Sequence, residues 1–433
     1  MLSGITGWNR CLHRFAVLTA IATLGLVGMG GLVTSYGVGM AVPDWPNTYG
    51  YNMFFFPLSQ WVGGIFYEHT HRLAASGVGL LTIMLGLWLY GRNARSFMHW
   101  AGLILLLAGG ATVVAVPRRW ADGLVLGLTG LAFLGASRVW PRCEPSPKWL
   151  RRLGLAAFVA VLLQGVLGGL RVVLFQDALG IFHATLAQLF FVLICAIALF
   201  TSRWWQTQPA RPPSTINYRL STLFLLTTLL ILCQLTLGAT MRHQHAGLAI
   251  PDFPLAYGKL WPATDAASVA HYNQQRIEVM AANPITVFQI GLQMVHRLLA
   301  VAILGAVAFA AWSTGRALGG KNPLSRLALV WLGLILTQLL LGAATIWSNK
   351  AADIATAHVL VGALSLALGA ILSIISSRAL EQVGRAVPSA PGEGAQARTF
   401  RTTSAARGAL GTARPATTTL KPLPSGGPGF PSP

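Results

Sequence analysis

Apolar residues occur along the chain in long, nearly uninterrupted runs that are separated by short polar segments. Each run has about 20 residues, which is the length that an α-helix needs to cross the hydrocarbon core of a bilayer. The sequence therefore predicts ten membrane-spanning helices. They cover residues 15–36, 69–90, 99–116, 122–140, 153–175, 178–201, 220–240, 286–312, 327–347 and 355–377.

The composition supports an integral membrane protein. Hydrophobic residues make up 54% of the chain and charged residues 10%, and the mean hydropathy is +0.60. Soluble domains carry about 25% charged residues on average. We predict an all-α polytopic membrane protein whose long helices lie in the lipid bilayer.

The net charge of +20 is unevenly distributed. If the N-terminus lies in the cytoplasm, most of the 31 Lys and Arg residues fall on the cytoplasmic side, together with only Glu144, Glu381 and Glu393 of the 11 acidic residues. Cytoplasmic loops of membrane proteins carry this excess of basic residues. The charge is therefore a topology signal, and we expect no nucleic-acid partner. We predict a multi-pass protein of a bacterial-type inner membrane, with both termini in the cytoplasm.

The sequence contains an internal repeat. Pro43-Asp44-Trp45-Pro46 recurs as Pro251-Asp252-Phe253-Pro254, Glu68-x-x-His71-Arg72 recurs as Gln293-x-x-His296-Arg297, and Gln164-x-x-x-Gly168 with His183 recurs as Gln338-x-x-x-Gly342 with His358. Each half therefore has four matched spans, and a helix pair at 99–140 is inserted in the first half. Because two added spans preserve direction, the fold is predicted to contain two parallel four-helix-bundle repeats.

The repeat and the polar segments divide the chain into five regions. They are a cytoplasmic N-terminus at 1–14, a first repeat at 15–201, a cytoplasmic linker at 202–219, a second repeat at 220–377 and a tail at 378–433. The tail is rich in Pro, Gly, Ser, Thr and Ala, and this composition is typical of a disordered segment.

Four histidines lie at repeat-related positions near one end of their spans: His71, His183, His296 and His358. Ionisable side chains in a membrane helix are costly and usually functional. Facing helices of a bundle can present two imidazoles to opposite faces of a heme, so these histidines are candidate ligands of heme iron. A proton relay through the same histidines is the alternative. The spacing shows no compact ligand cluster for zinc or copper.

Charged neighbours of the histidines distinguish the two halves. Arg72 and Arg297 follow a histidine in each half and are candidate partners of heme propionates. The first half has Glu68 one helical turn before its histidine, where the second half has Gln293. A carboxylate can act as an acid or base and an amide cannot. The difference indicates that one half performs chemistry and the other holds a permanent heme. A Glu favoured by the helix dipole is the structural alternative.

Taken together, these motifs resemble those of the heme A synthase family over residues 10–377. The resemblance implies a membrane oxidoreductase that oxidises one porphyrin methyl of heme O to a formyl group by successive hydroxylation, giving heme A for terminal oxidases. It implies a heme b cofactor on His296 and His358. It also implies a substrate site formed by Glu68, His71 and His183, in which we assign Glu68 as the catalytic residue and add Arg72 as a substrate-heme-binding residue. Where some relatives have a cysteine pair, this chain has Val42 and Thr48.

The expected partners follow from that resemblance. They are heme O as substrate, an electron donor that the sequence does not identify, heme O synthase as a candidate source of substrate, and a second copy of the chain if it is a homo-oligomer. The competing hypothesis is a bis-histidine membrane cytochrome b that only transfers electrons, for example from quinol. A transporter built from repeated halves fits less well, because the ionisable residues lie toward one side and not at the midplane.

Overall fold

The computed structural model describes residues 8–207, 215–276 and 284–378, and these residues form α-helices joined by turns and loops, without a β-strand. The helices are α1 (Arg10–Ser35), α2 (Gly63–Tyr90), α3 (Ala94–Ala115), α4 (Trp120–Val139), α5 (Lys148–Leu174), α6 (Asp177–Thr201), α7 (Arg203–Thr207), α8 (Thr215–His243), α9 (Ala266–Gln274), α10 (Val287–Leu318), α11 (Pro323–Trp347) and α12 (Ala352–Ser377). The predicted all-α class is confirmed. The predicted tail, apart from Arg378, and the first seven residues of the predicted N-terminus lie outside the described residues.

Within the described ranges, nine segments are long and apolar enough to cross a membrane. One of them, Gly63–Ala115, consists of α2 and α3 with a short 3-10 turn between them, so a long helix stands at each of the ten predicted spans. Backbone groups in hydrocarbon must be satisfied within the chain, and these helices do so by their own hydrogen bonds. The polytopic membrane fold is therefore confirmed.

Several predicted boundaries are wrong by a turn or more. The structure begins α1 at Arg10, α2 at Gly63 and α5 at Lys148, earlier than the apolar runs begin. A helix continues through polar residues at a membrane surface because its hydrogen bonds do not depend on apolar side chains. The predicted linker at 202–219 also contains α7 and the start of α8. The short helix α9 was not predicted, and it begins at a cap in which Asp265 accepts the Ser268 N–H at 3.0 Å.

The long helices form two rings of four. Helices α1, α2, α5 and α6 pack in that order around the first ring, here called the first bundle. Helices α8, α10, α11 and α12 form the second bundle in the same way. The bundles meet where α1 and α6 contact α8 and α12. As a result, α2 and α6 face each other diagonally across the first bundle, and α10 and α12 do so across the second.

Two loops lie at the same end of the bundles. Loop 1 (residues 36–62) joins α1 to α2, and loop 2, described over residues 244–276 and 284–286, joins α8 to α10. Arg242, in the last turn of α8, donates to the Gly31 carbonyl near the end of α1 at 2.6 Å, which brings the two loop-bearing ends together. We call this the loop end of the molecule.

The inserted helices α3 and α4 pack mainly against each other. Their contact surfaces are glycines: a Cβ added at Gly102, Gly109, Gly123 or Gly130 would lie less than 3 Å from atoms of the facing helix. Small residues allow membrane helices to approach this closely. The pair reaches loop 1 through a hydrogen bond from the Asn52 side chain to Asp122 at 2.8 Å.

Candidate functional site

Each of the four repeat-related histidines packs against a glycine on a neighbouring helix. A Cβ added to that glycine would press on the histidine Cε1 atom. The distance from such a Cβ to Cε1 is 3.2 Å for Gly30 and His71, 3.2 Å for Gly168 and His183, 3.4 Å for Gly238 and His296, and 3.3 Å for Gly342 and His358. We call each of these contacts a glycine notch. The notch fixes the position of the imidazole by packing, because a larger side chain would displace the ring.

The two histidines of each bundle come from helices that face each other diagonally. His71 is on α2 and His183 on α6, and the two are near enough to interact electrostatically. The same holds for His296 on α10 and His358 on α12. Each pair thus contributes one imidazole from each side of its bundle, which is the arrangement that two axial ligands of a flat macrocycle require.

The orientation of the rings leaves their metal-binding nitrogens available. In all four histidines Nδ1 is buried and has no hydrogen bond of standard geometry among the described residues. The backbone of Gln164 faces the His183 ring, and that of Gln338 faces the His358 ring. Two buried imidazoles in each bundle are therefore a donor set of the kind that binds heme iron.

Glutamine side chains fix the helices that carry the histidines. Gln164 Nε2 on α5 donates to the His183 carbonyl on α6 at 3.1 Å, and Gln234 Nε2 on α8 donates to the His296 carbonyl on α10 at 2.9 Å. These bonds set the register of neighbouring helices beside the notches of His183 and His296.

Glu68 and Gln293 occupy equivalent positions and share one contact. Glu68 Oε2 accepts the Val42 N–H at 2.8 Å, and Gln293 Oε1 accepts the Ile250 N–H at 2.7 Å. Both side chains are buried, so each fastens its loop to its helix. Their second contacts differ. Glu68 Oε1 forms an ion pair with Arg72 at 2.7 Å, whereas Gln293 Nε2 donates to the Ile250 carbonyl at 3.2 Å.

Arg72 and Arg297 direct their guanidinium groups at the loops. Arg72 donates to the carbonyls of Val42, Asp44 and Asn47 at 2.8, 2.6 and 3.1 Å. Arg297 donates to the carbonyls of Asp252 and Leu255 at 2.7 and 2.9 Å. The role of these arginines as propionate partners stays a prediction, and their observed contacts serve loop structure.

The Pro-Asp-aromatic-Pro motifs have the same internal structure in both loops. Asp44 accepts the N–H groups of Tyr49 and Gly50 at 2.8 and 2.7 Å, and Asp252 accepts those of Tyr257 and Gly258 at 2.7 and 2.8 Å. Each tyrosine hydroxyl donates back to an alanine carbonyl before the motif. Burial, with the stacked Tyr272 ring beside it, raises the pKa of Tyr257 to about 12, so its hydroxyl remains a donor at neutral pH.

Sequence reasoning missed the glycines Gly30 and Gly238. Both lie the same distance before their Pro-Asp-aromatic-Pro motif, so the repeat carried a signal for them. Sequence reasoning also gave no role to His69, which is fully buried and lies 3.1 Å from Thr48 Oγ1 between the rings of Phe56 and Trp61.

Comparison with known proteins gives two findings. The family model COX15-CtaA, described as cytochrome oxidase assembly protein, matches residues 117–370, a range that includes His183, His296 and His358. A curated protein of Rhizorhabdus wittichii named heme A synthase is 26% identical over 369 residues, which cover 82% of this chain and 91% of that protein.

Proposed function

The chain belongs to the COX15-CtaA family of cytochrome oxidase assembly proteins, and we propose that it is a heme A synthase that oxidises a methyl group of heme O to a formyl group. The observation that carries the proposal is the pair of diagonal histidines in each bundle, each histidine seated in a glycine notch. The curated relative named heme A synthase supports the same activity.

In this proposal the second bundle holds a permanent heme b. His296 and His358 would hold it through their imidazoles, and each ring lies in a notch that limits its movement. The neighbouring Gln293 cannot exchange a proton, and its amide is occupied by loop backbone groups. The position on α10 that is equivalent to Glu68 therefore carries no group that can transfer a proton.

The first bundle is the substrate site. His71 and His183 hold heme O, and two successive hydroxylations followed by loss of water convert its methyl to an aldehyde. The bound hemes supply the redox chemistry, with an electron donor and an oxygen source that are further partners in the proposal. The chain supplies orientation through the notches and a buried setting from which water is largely excluded.

Glu68 is the proposed proton-transfer group. Its carboxylate lies on the helix that carries His71, and only 4% of the residue is exposed. The Val42 N–H holds Oε2 and the Arg72 guanidinium holds Oε1, so a proton gained or lost by Glu68 changes either its contact with loop 1 or its ion pair on α2. General acid–base groups of this kind contribute about 100-fold or more to rate.

The proposal includes a bacterial-type inner membrane with cytoplasmic termini, so that the loop end faces the external side. This orientation is supported by the distribution of basic residues along the sequence.

Pigment extraction from cells tests the function. We expect cells that supply heme O to accumulate heme A when they express this chain, and chromatography of extracted hemes measures it. The His183→Ala variant, expressed to the same level, should form no heme A. Purified protein that contains heme b while its cells contain no heme A would overturn the synthase proposal in favour of an electron-transferring cytochrome b.

A further inference from the structure

We propose that Arg171 binds a propionate carboxylate of the porphyrin that His71 and His183 hold, so that the ionic anchor of the first bundle lies on α5. This inference rests on the proposed function and names a binding residue for its substrate. A heme that is fixed by two axial histidines can still rotate about the axis between them. An ionic anchor at one edge would determine which methyl group lies beside the α2 side of the site.

The position of Arg171 suits this role. It lies in the last turn of α5, one helical turn beyond Gly168, whose notch holds His183. Residues three apart share a helix face, so Arg171 and the notch face the same side. The guanidinium lies against the start of loop 1, because a Cβ added at Gly39 would be 2.9 Å from Arg171 Nη1. Its charge acts on both His71 and His183.

The hydrogen-bonding capacity of Arg171 is unused. Among the described residues it has no hydrogen bond and no ion pair, and its Nε atom is buried without a partner. Arg72 and Arg297, by contrast, donate to loop carbonyls. A guanidinium has five N–H donors arranged to grip a carboxylate with two parallel bonds. The residue is half-buried and its two terminal nitrogens have no protein partner among the described residues, so an anion can bind them.

The acidic groups near Arg171 do not form an ion pair with it. Glu68 and Asp177 both act on it electrostatically, but neither lies within 4.0 Å. Glu68 is engaged by Arg72, and Asp177 is largely exposed and faces His243 at 4.0 Å. Arg171 therefore retains positive charge for a ligand.

The second bundle lacks this feature. The repeat-related residue is Thr345, whose hydroxyl bonds to the Leu341 carbonyl of its own helix at 2.8 Å. Arg242 acts electrostatically on His358, but it donates to the Gly31 carbonyl and to the Ser35 hydroxyl. The unused arginine thus belongs to the bundle whose heme must be oriented for reaction.

Two porphyrins test the anchor directly. Purified full-length protein in detergent is titrated with hemin, which has two free propionates, and with hemin dimethyl ester, which has none. The Soret absorbance reports binding. The His183→Ala variant lacks a proposed ligand of the first bundle, so its titration gives the part of the absorbance change that comes from the second bundle. Wild type should bind hemin about tenfold more tightly than the diester.

The variants separate charge from packing. Arg171→Met should weaken hemin binding about tenfold and leave diester binding unchanged, and Arg171→Lys should retain part of the preference for hemin. Thr345→Met is the matched control and should behave as wild type. Thermal unfolding without added porphyrin checks that Arg171→Met is folded.

The outcomes distinguish this inference from the proposed function. If wild type and Arg171→Met bind hemin equally well, Arg171 is not the anchor and the synthase proposal stands. If Arg171→Met weakens binding of both porphyrins to the same extent, its role is structural and the anchor is also rejected. If wild type binds neither porphyrin, the proposed function fails and this inference fails with it.

Discussion

The two bundles have the same arrangement of histidines and glycine notches, and they differ in the charged groups around it. Glu68 and Arg171 in the first bundle are replaced by Gln293 and Thr345 in the second. The shared contacts position imidazoles, whereas the differing residues can move protons or bind anions. In the proposed function, the comparison separates the residues that would hold a cofactor from those that would act on a substrate.

Removal of a second-bundle histidine should have the largest effect. His296→Ala or His358→Ala removes one of two proposed axial ligands, and we expect purified protein to lose most of its heme b. Pyridine-hemochrome analysis measures the content. His271→Ala, at an exposed position on α9, is the control and should retain heme b. An unchanged heme b content in either ligand variant would show that the second bundle does not bind heme through that residue.

Making the first bundle resemble the second is the next test. Glu68→Gln keeps an acceptor for the Val42 N–H but cannot exchange a proton, so heme A formation should fall about 100-fold or more while bound heme b is retained. Extracted hemes are quantified by chromatography. The control is Glu144→Gln, which alters the largely exposed ion pair with Arg92 at 3.0 Å. Full heme A yield from Glu68→Gln would remove this residue from the chemistry.

A substitution in a glycine notch should weaken porphyrin binding only in the bundle that contains that notch. Gly168→Ala adds a Cβ 3.2 Å from His183, so it should weaken porphyrin binding in the first bundle about threefold to tenfold through displacement of the ring. Gly342→Ala should do the same in the second bundle. Hemin titration measures both. Gly165→Ala, where a Cβ meets nothing within 4 Å, is the control. If either substitution weakened porphyrin binding in the other bundle, the two sites would not be independent.

The smallest effect on heme is expected from the inserted pair. Gly123→Leu would force α3 and α4 apart and should destabilise their contact by about 1–3 kcal/mol, which thermal unfolding measures. Heme content should stay unchanged, because this contact lies outside both bundles. Gly135→Leu on α4, where a Cβ has open space, should have little effect on stability. Loss of heme in Gly123→Leu would show that the pair supports the first bundle.

The sequence predicted the spans and their repeat because apolar runs and repeated motifs are local signals. It did not predict α9, since nine residues beginning at an Asp cap have too little apolar periodicity to stand out. It also did not predict that Arg72 donates to loop 1. That contact joins Arg72 to the Asp44 carbonyl, 28 positions earlier in the chain, and no local pattern in the sequence indicates it. The assignment of the histidines, Glu68 and the arginines to heme sites stays a prediction.

The glycine notches have a mechanical consequence. Each imidazole lies on one helix and its glycine on another, and no Nδ1 hydrogen bond of standard geometry fixes the ring. The angle of the ring therefore depends on the spacing of two helices. A change that separates the helices would turn the imidazole even if it touched neither the histidine nor its glycine.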